Sequence, residues 1–478
     1  MPPSIRLGSK VRALRRRINL TQSAMAGRLG ISPSYLNLIE HDRRPLSATL
    51  LIRLAQNFDI DIQAFAHDDD RRLVADLLEA FGDPVFEGQQ VPETDLREMA
   101  TAAPAAARAV MTLYQAYRGV RESLGTLAGE MEAEDEASFL HPSRLPSEEV
   151  TDLLQRHMNH FPELEVGAEH LVATAGLHRA DLFQEMAAYL RDVHQVRVEI
   201  VETGAMRGAA RRFDPRRRVL RLSELLRRGS RNFQLAHQIG LLTQGDVLDR
   251  LSADETLTTP ASRALARVSL ASYFAGAVLM PYTTFLDAAR AERYDIELLG
   301  HRFRASFEQV CHRLTTLRRP GNEGIPLHLV RVDIAGNISK RFSASGMRFA
   351  RFSAACPLWN VHAAFLTPGT IRVRLSRMPD GSAYLDVART LRKDTGGFHA
   401  PHPVRAIDIG CEVSHAREMV YAEGMDLANL DAADPIGVTC RLCERLDCEE
   451  RAFAPLAAPL QVNENLRGLS FYAPVDED

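Results

Sequence analysis

The sequence predicts a multidomain protein with an all-α N-terminal head, a helical linker, an α+β domain and a mixed α/β C-terminal domain. Its 478 residues are too many for one hydrophobic core. Apolar residues recur at helical spacing near the N-terminus, whereas strand-like runs begin after residue 195 and become frequent beyond residue 320. We expect the four parts to span residues 1–72, 73–149, 150–319 and 320–478.

The head is predicted to contain a helix-turn-helix. Thr21 is expected to cap a helix that ends at Leu29, and Gly30 supplies a left-handed stop. Ser32 and Pro33 then begin a second helix, which would enter the major groove of DNA. The predicted core residues share helical spacing: Leu14, Ile18, Ala24, Leu29, Ile31, Leu36 and Ile39.

Charge in the head favours a polyanionic partner. Residues 1–58 contain ten Lys or Arg and two acids, a local charge of +8 in a chain whose net charge is −4. Short polar groups are expected to reach base edges, with longer ones on phosphates. The candidate DNA-binding residues are Thr21, Gln22, Ser32, Ser34, Tyr35, Asn37, Arg43 and Arg44. The alternative is a helical bundle with a basic, solvated face. Residues 6–66 resemble the Xre/Cro-like regulator family.

The linker is predicted to be helical and then acidic. A helix is expected over Leu73–Phe81, and a long connecting or dimer-forming helix over Asp95–Gly129. Seven acids and two prolines between residues 130 and 149 indicate a solvated segment. Two heads on a homodimer would read a roughly palindromic DNA site.

The C-terminal two thirds alternate helices with strands. A strand is expected over Val196–Glu202 and a hairpin over Phe213–Leu222. Beyond Pro320, strand-like runs are separated by turns, of which Met378–Gly381 is the clearest. These patterns predict an α+β domain followed by a mixed, strand-richer domain.

One helix resembles a metallopeptidase helix that lacks its catalytic groups. The segment Asn232–Leu242 is similar to the His-Glu-x-x-His helix of IrrE/ImmA-type zinc peptidases. His237 remains, but Gln238 replaces the base and Leu241 replaces the second ligand, so neither zinc binding nor hydrolysis is expected. The chain is therefore predicted not to be an enzyme. The helix is either a scaffold whose former cleft holds a ligand, or His237 is an ordinary core histidine.

Longer phrases extend a resemblance over nearly the whole chain. They include ASYFAGAVLMPYTTFLDAA, RVDIAGNISKRFSASG, CPLWNVH and CRLCERLDCEERAF. With the head and the degenerate middle helix, they resemble the short-chain fatty acyl transcriptional regulators. The resemblance implies a DNA-binding regulator of short-chain fatty acid metabolism that senses an acyl-coenzyme A, with propionyl-coenzyme A as the first candidate.

Coenzyme A needs cations for its phosphates and an apolar end for its acyl group. The candidate ligand-binding residues combine both kinds of side chain: Tyr273, Phe274, Lys340, Arg341, Ser343, Arg348, Arg351 and Phe352. For the aromatics the alternative is plain core packing. For the cations it is a solvated strand face.

Three cysteines form a Cys-x-x-Cys-x4-Cys segment, Cys440, Cys443 and Cys448, and Cys411 is the expected fourth partner. Zinc, an iron–sulfur cluster and neutral packed thiols all remain open, and the resemblance adds weight to the cluster. Interleaved arginines would favour anionic thiolates. Cys311 and Cys356 are expected to be buried apolar residues.

Neither a membrane span nor an export signal is evident, so a cytoplasmic location is expected. Two rival functions remain. One is a redox or iron–sulfur sensor switched by the cysteines, and the other is a metallopeptidase-type regulator.

Overall fold

The computed structural model divides the chain into two compact units, residues 1–142 and 143–478. The described residues are 11–12, 14–15, 20–40, 44, 50, 53–54, 57–58, 69–86, 91–129, 145–177, 181–351, 354–392 and 396–455.

The two predicted helices of the head are confirmed. Helix α1 spans Gln22–Leu29 and α2 spans Pro33–Glu40. The Thr21 hydroxyl accepts a hydrogen bond from the backbone N–H of Ala24 at 3.2 Å, and Gly30 has a φ of 68°. The Ser32 hydroxyl accepts from the N–H of Tyr35 at 3.1 Å. The capping residues therefore act as the sequence predicts.

The core of the head differs from prediction at one position. Leu14, Leu29, Leu36 and Ile39 are buried together, but Ala24 is exposed. Met25 and Ala26 on the next positions of α1 turn inward and join this core instead. Ile18 lies outside the described residues.

Three helices lie in the described residues of the linker, α3 over Asp69–Phe81, α4 over Glu93–Ala102 and α5 over Pro104–Gly129. The single long helix predicted from residue 95 is therefore wrong. Pro104 begins a new helix because proline lacks a backbone N–H and disfavours helical conformation in the residue before it. Tyr114 on α5 donates a hydrogen bond to the Asp83 carboxylate at 3.1 Å, which joins α5 to the turn after α3.

The second unit begins with three helices and continues with alternating helices and short strands. Its helices of eight or more residues are α6 Pro146–Arg156, α7 Pro162–Thr174, α8 Leu182–His194, α9 Arg228–Thr243, α10 Gly245–Ser252, α11 Pro260–Leu279, α12 Tyr282–Ala291, α13 Ile296–Phe303 and α14 Phe307–Leu314. Four-residue helices span Thr203–Met206, Asn360–Ala363 and Val413–Ala416, and 3₁₀ turns span Ala364–Leu366, Val420–Ala422 and Leu430–Ala432.

A three-stranded sheet contains the predicted strand and hairpin. The strands are β1 Arg197–Val201, β2 Arg211–Asp214 and β3 Val219–Ser223, in the order β1-β3-β2. β3 pairs in parallel with β1 and antiparallel with β2. β2 is therefore an edge strand.

A six-stranded sheet forms the C-terminal part, in the order β5-β4-β8-β7-β6-β9. Its strands are β4 Leu327–Asp333, β5 Ile338–Ser343, β6 Arg372–Arg377, β7 Ala383–Arg392, β8 Val404–Glu412 and β9 Asp434–Pro435. The turn after β6 has Gly381 at a φ of 85°, as a tight hairpin requires.

The main core of this unit joins helices and sheet. Buried residues of α8, α9 and α11 pack with Leu329, Leu385 and Ile409 from one face of the six-stranded sheet. Among the described helices, none alone is both long and apolar enough to cross a membrane. By length and composition, only α11 and α12 taken together meet that requirement, and they are bent by 66°.

Candidate functional site

The second helix of the head presents most of its predicted DNA contacts to solvent. Ser34 and Asn37 on α2 are exposed, as is Arg44 after it. Tyr35 is half-buried and packs against the core of the head. Arg43 lies outside the described residues. The exposed groups of α2 can therefore reach a base edge without unfolding the head.

An internal polar network joins α1 and α2 of the head. The guanidinium of Arg15 donates two hydrogen bonds to the Glu40 carboxylate, at 2.6 and 2.9 Å, although Glu40 is only 3% exposed. The side-chain amide of Gln22 donates to Glu40 at 2.9 Å and to Asn37 at 3.3 Å. Gln22 therefore holds the α2 side chains in position, a role that its sequence position did not reveal.

The cations predicted to bind phosphate are divided by the structure. Along β5, Lys340 alternates with Arg341, so the two side chains project from opposite faces. Arg341 pairs with Glu148 on α6, and Arg351 contacts Asp152 of the same helix at 2.5 Å.

The remaining members of this set lie apart from one another. Arg348 pairs with Asp380 at 2.9 Å. The backbone N–H and carbonyl of Ser343 bond to the Gln155 side chain. Phe352 lies outside the described residues. Three of the predicted phosphate cations, Arg341, Arg348 and Arg351, thus already have carboxylate partners.

The two predicted acyl-contacting aromatics are buried in different clusters. Phe274 lies in the main core against Gly240, where an added Cβ would come within 2.7 Å of its ring. Tyr273 packs with Phe161, with ring centroids 5.2 Å apart. The neighbours on α11 therefore do not form one wall.

Tyr273 belongs to a buried ion-pair network that the sequence did not indicate. Its hydroxyl donates to the Glu165 carboxylate at 2.6 Å, and Arg313 donates two bonds to the same carboxylate at 2.6 and 2.9 Å. Burial alone would raise the pKa of Glu165, but the charge and hydrogen bonds of Arg313 outweigh it, so the pKa is lowered. The network connects α7, α11 and α14.

His237 on the peptidase-like helix contacts an arginine. Its Nδ1 lies 2.6 Å from a guanidinium nitrogen of Arg211 on β2, and its Nε2 lies 3.3 Å from the carbonyl oxygen of Val268. Because a guanidinium only donates, Nδ1 must accept and Nε2 must carry the proton. Burial and then the charge of Arg211 lower the pKa of His237 to about 4. Both ring nitrogens of His237 thus have a contact within the protein.

Four cysteines line one small cavity, and the fourth is Cys356 rather than Cys411. Cys440, Cys443 and Cys448 border this cavity together with Cys356. Cys411 instead lies on β8 in the main core, where its thiol contacts the Met419 sulfur at 3.6 Å. Within the described parts of the chain, no group of three or more His, Cys, Asp or Glu side chains is arranged as a metal site.

Arg451 organises the cysteine segment through backbone carbonyls. Its guanidinium donates to the carbonyls of Cys440 at 2.6 Å and of Cys443 at 2.9 Å, and also to that of Arg445. Burial raises the pKa of Cys356 to about 11 and also raises the pKa of Cys448. For Cys448, burial outweighs the charge of Arg451, one of the arginines that the sequence suggested would favour thiolates.

A polar network crosses the six-stranded sheet over a glycine. His328 on β4 and Asp386 on β7 both pair in register with Gly410 of the intervening β8, and their side chains meet at 3.0 Å. An added Cβ at Gly410 would lie 2.7 Å from the imidazole. The isolated glycine in a strand pattern is the one sequence feature that could have indicated this close approach.

This network borders a second small cavity, lined also by Trp359, Asn360 and Asp408. Burial, followed by the charge of Asp386, raises the pKa of Asp408 well above its usual value. One side-chain oxygen of Asp408 and one of Asn360 have no hydrogen-bond partner among the described residues.

Family comparisons match three successive segments. Residues 11–65 match a helix-turn-helix family, residues 191–315 the IrrE N-terminal-like domain, and residues 316–472 the C-terminal domain of the short-chain fatty acyl coenzyme A regulators. The head, the ligand-deficient peptidase helix and the C-terminal sheet thus define a helix-turn-helix transcriptional regulator rather than an enzyme.

Two named relatives match almost the whole length of this chain. A protein of Cereibacter sphaeroides named "Propionyl-CoA carboxylase regulator" is 43% identical over 476 residues, covering 100% of both chains. The Mycobacterium tuberculosis protein named "HTH-type transcriptional regulator PrpR" is 39% identical over 459 residues, covering 96% of this chain and 93% of its own. A solved structure titled "Mycobacterium tuberculosis transcriptional regulator" has 40% identity and a TM-score of 0.66, covering 69% of this chain and 100% of its own. The chain belongs to the short-chain fatty acyl coenzyme A regulator family.

Proposed function

We propose that this protein is a sequence-specific DNA-binding regulator of short-chain fatty acid metabolism, with propionate as the first candidate, and that a short acyl-coenzyme A such as propionyl-coenzyme A is its effector. The observation that carries the DNA-binding part is the capped α1–α2 pair with exposed polar groups on α2. The full-length relative named for propionyl-CoA carboxylase supports the metabolic part.

Base reading and phosphate binding are tested by a pair of substitutions on the same surface. Asn37→Ala is expected to reduce the preference for the specific site over random DNA, because it removes an amide that can bond a base edge. Arg44→Ala is expected to weaken binding to both DNAs alike and to lower its salt dependence. Fluorescence anisotropy at several salt concentrations measures both. Equal losses on specific and random DNA for Asn37→Ala would contradict its assignment.

The effector is tested by isothermal titration with acetyl-, propionyl-, butyryl- and succinyl-coenzyme A. We expect propionyl-coenzyme A to bind most tightly and to change the affinity for the operator, with a coupling of about 1 to 3 kcal/mol. If none of these thioesters binds and the operator affinity stays unchanged, an acyl-coenzyme A is not the effector.

We further propose a cytoplasmic homodimer. Leu113 on α5 is 72% exposed, and Tyr117 lies one helical turn further on. An exposed apolar pair on a helix of 26 residues suits a helix that packs on its counterpart in a second copy. Sedimentation equilibrium of Leu113→Glu against the unaltered protein tests this, and an unchanged dimer overturns the use of α5.

The second candidate function is a redox or iron–sulfur sensor, and its support is that four cysteines line one cavity. Their thiols are not arranged as a metal site in the described structure, so a bound group would have to draw them together. Cys356, Cys440, Cys443 and Cys448 would hold the group, because thiolates are the ligands of zinc and of iron–sulfur clusters. A cluster would supply electron transfer, whereas zinc would brace the segment. Gly437 allows Cys443 to approach the loop, since a Cβ there would lie 3.0 Å from its sulfur.

Metal and sulfide analysis of the protein purified without oxygen separates these choices. If replacing Cys440, Cys443 and Cys448 with serine leaves the acyl-coenzyme A response unchanged, the cysteines are not the effector switch. Loss of a metal with Cys356→Ser and not with Cys411→Ser supports the set that lines the cavity. The reverse result supports the set expected from sequence.

A further inference from the structure

Arg211 carries a half-buried charge that no carboxylate balances in the part of the chain that the structure describes. Among the described residues its one hydrogen-bond contact is the neutral His237 ring, and no acid forms an ion pair with it. Arg313 and Arg331, which are more deeply buried, each pair with a carboxylate. A cation that is partly withdrawn from water and has no counter-charge is destabilised, so its surroundings favour the arrival of an anion.

The histidine contact leaves most of the guanidinium available. Arginine has five N–H donors, and His237 accepts one of them. His237 is held in turn by the carbonyl of Val268 on α11, so the guanidinium rests on a fixed ring. Burial lowers the pKa of Arg211, but guanidinium remains charged at neutral pH. A planar, positioned cation with free donors is suited to a phosphate or carboxylate oxygen pair.

The surrounding segment attracts anions, and its edge is open. Residues 203–231 contain ten arginines, against Asp214 and Glu224, so the local charge is 10 − 2 = +8. Arg221 and Arg228 pair with acids of other segments, which compensates part of this excess. β2 lies at the edge of its sheet, and no strand among the described residues pairs with its outer side. By contrast, Arg341 and Arg351 in the stretch predicted from sequence are already paired with α6.

We propose that Arg211, positioned by His237, is the anchor of an oxyanion-binding site, and that a phosphate of the coenzyme A effector is the anion it receives. The second part rests on the function proposed above. In this chain the Arg211 guanidinium contacts Nδ1 of His237 on the peptidase-like helix, so this position presents a cationic donor to a ligand. The side chains of Arg341 and Arg351 instead contribute ion pairs between β5, its following loop and α6.

The test uses the full chain, titrated with inorganic pyrophosphate, with propionyl-coenzyme A, and with S-propionyl-N-acetylcysteamine, a thioester without phosphates. Arg211→Gln is compared with Arg212→Gln, which removes the same charge from the next, exposed position of β2. We expect Arg211→Gln to weaken binding of pyrophosphate and of propionyl-coenzyme A about 10- to 100-fold. Arg212→Gln should weaken it less than about 3-fold by loss of the field alone. Binding of the phosphate-free thioester should be the same in both variants as in the unaltered protein.

The remaining outcomes separate the two parts of the proposal. Pyrophosphate binding that is absent in the unaltered protein, or unchanged in Arg211→Gln, overturns the oxyanion site. Pyrophosphate binding that needs Arg211, with propionyl-coenzyme A unaffected, overturns the assignment to coenzyme A. If Arg348→Gln abolishes propionyl-coenzyme A binding and Arg211→Gln does not, the phosphates bind instead at the cations predicted from sequence. If no thioester binds but pyrophosphate binding still depends on Arg211, the acyl-coenzyme A effector is refuted and the oxyanion site is retained. Arg211→Lys retains the charge and controls for folding.

Discussion

The buried Glu165–Arg313 pair should make a large contribution to the stability of residues 143–478. Both side chains are 1% exposed, and two hydrogen bonds of 2.6 and 2.9 Å join them. Glu165→Gln leaves the guanidinium buried without a counter-charge, so the free energy of unfolding should fall by about 3 to 5 kcal/mol. Replacing both residues with apolar ones, Glu165→Leu with Arg313→Met, should cost less than the sum of the single changes.

Urea unfolding followed by tryptophan fluorescence measures this effect. Trp359 is the only tryptophan in the chain and is 3% exposed, so its emission reports on this unit. The matched control is Glu169→Gln, which breaks a partly exposed pair with Arg319 and should cost less than about 1 kcal/mol. A cost below about 1 kcal/mol for Glu165→Gln, or simple additivity in the double variant, would refute the reasoning.

The same pair predicts a pH dependence with a definite sign. The folded-state pKa of Glu165 is lowered, so the unfolded chain binds more protons at acid pH. The stabilisation is complete above the unfolded carboxyl pKa of about 4.3 and is lost as the pH falls through the folded value. Urea midpoints measured from pH 7 downward should therefore converge for the unaltered protein and Glu165→Gln. Midpoints that stay equally far apart in acid would contradict this linkage.

Four further substitutions test other contacts. Glu40→Ala should destabilise the head by about 2 kcal/mol, because it leaves Arg15 without its carboxylate, and faster amide hydrogen exchange over residues 22–40 checks this. Gly410→Ala should lower stability by about 3 kcal/mol, whereas Gly276→Ala, with open space around it in a helix, should raise it by about 1 kcal/mol; urea midpoints compare them. Tyr273→Phe should cost about 1 kcal/mol by the same measurement, and no cost would show that its hydroxyl bond is dispensable.

Local signals were sufficient for the head. Thr21, Gly30 and Ser32 act through hydrogen bonds or backbone angles within a few residues, so their types alone locate α1 and α2. Helical spacing also selected most of the core but placed Ala24 inward, although it is exposed. The break at Pro104 could have been read from its missing N–H, which the apolar periodicity concealed.

The candidate sites depended on contacts between distant segments, which spacing does not reveal. Cys356 joins a cysteine segment more than eighty residues further along the chain, whereas Cys411, the nearer choice, faces the main core. Arg341 and Arg351 have the composition of a phosphate site, yet α6 places carboxylates against both. Nothing in the sequence distinguishes Arg211 from its neighbouring arginines, because its contact with His237 depends on the fold.

The sequence by itself determined the capped helix pair, the loss of the catalytic base at Gln238 and of the second zinc ligand at Leu241, and the kind of protein. Each of these depends on residue type at short, fixed separations along the chain. Only the tertiary structure decided which charges are neutralised, which cysteines share a cavity, and that His328 meets Asp386 across Gly410. The reason is that register and packing set these contacts, and a shift of one residue in a strand moves every side chain to the opposite face.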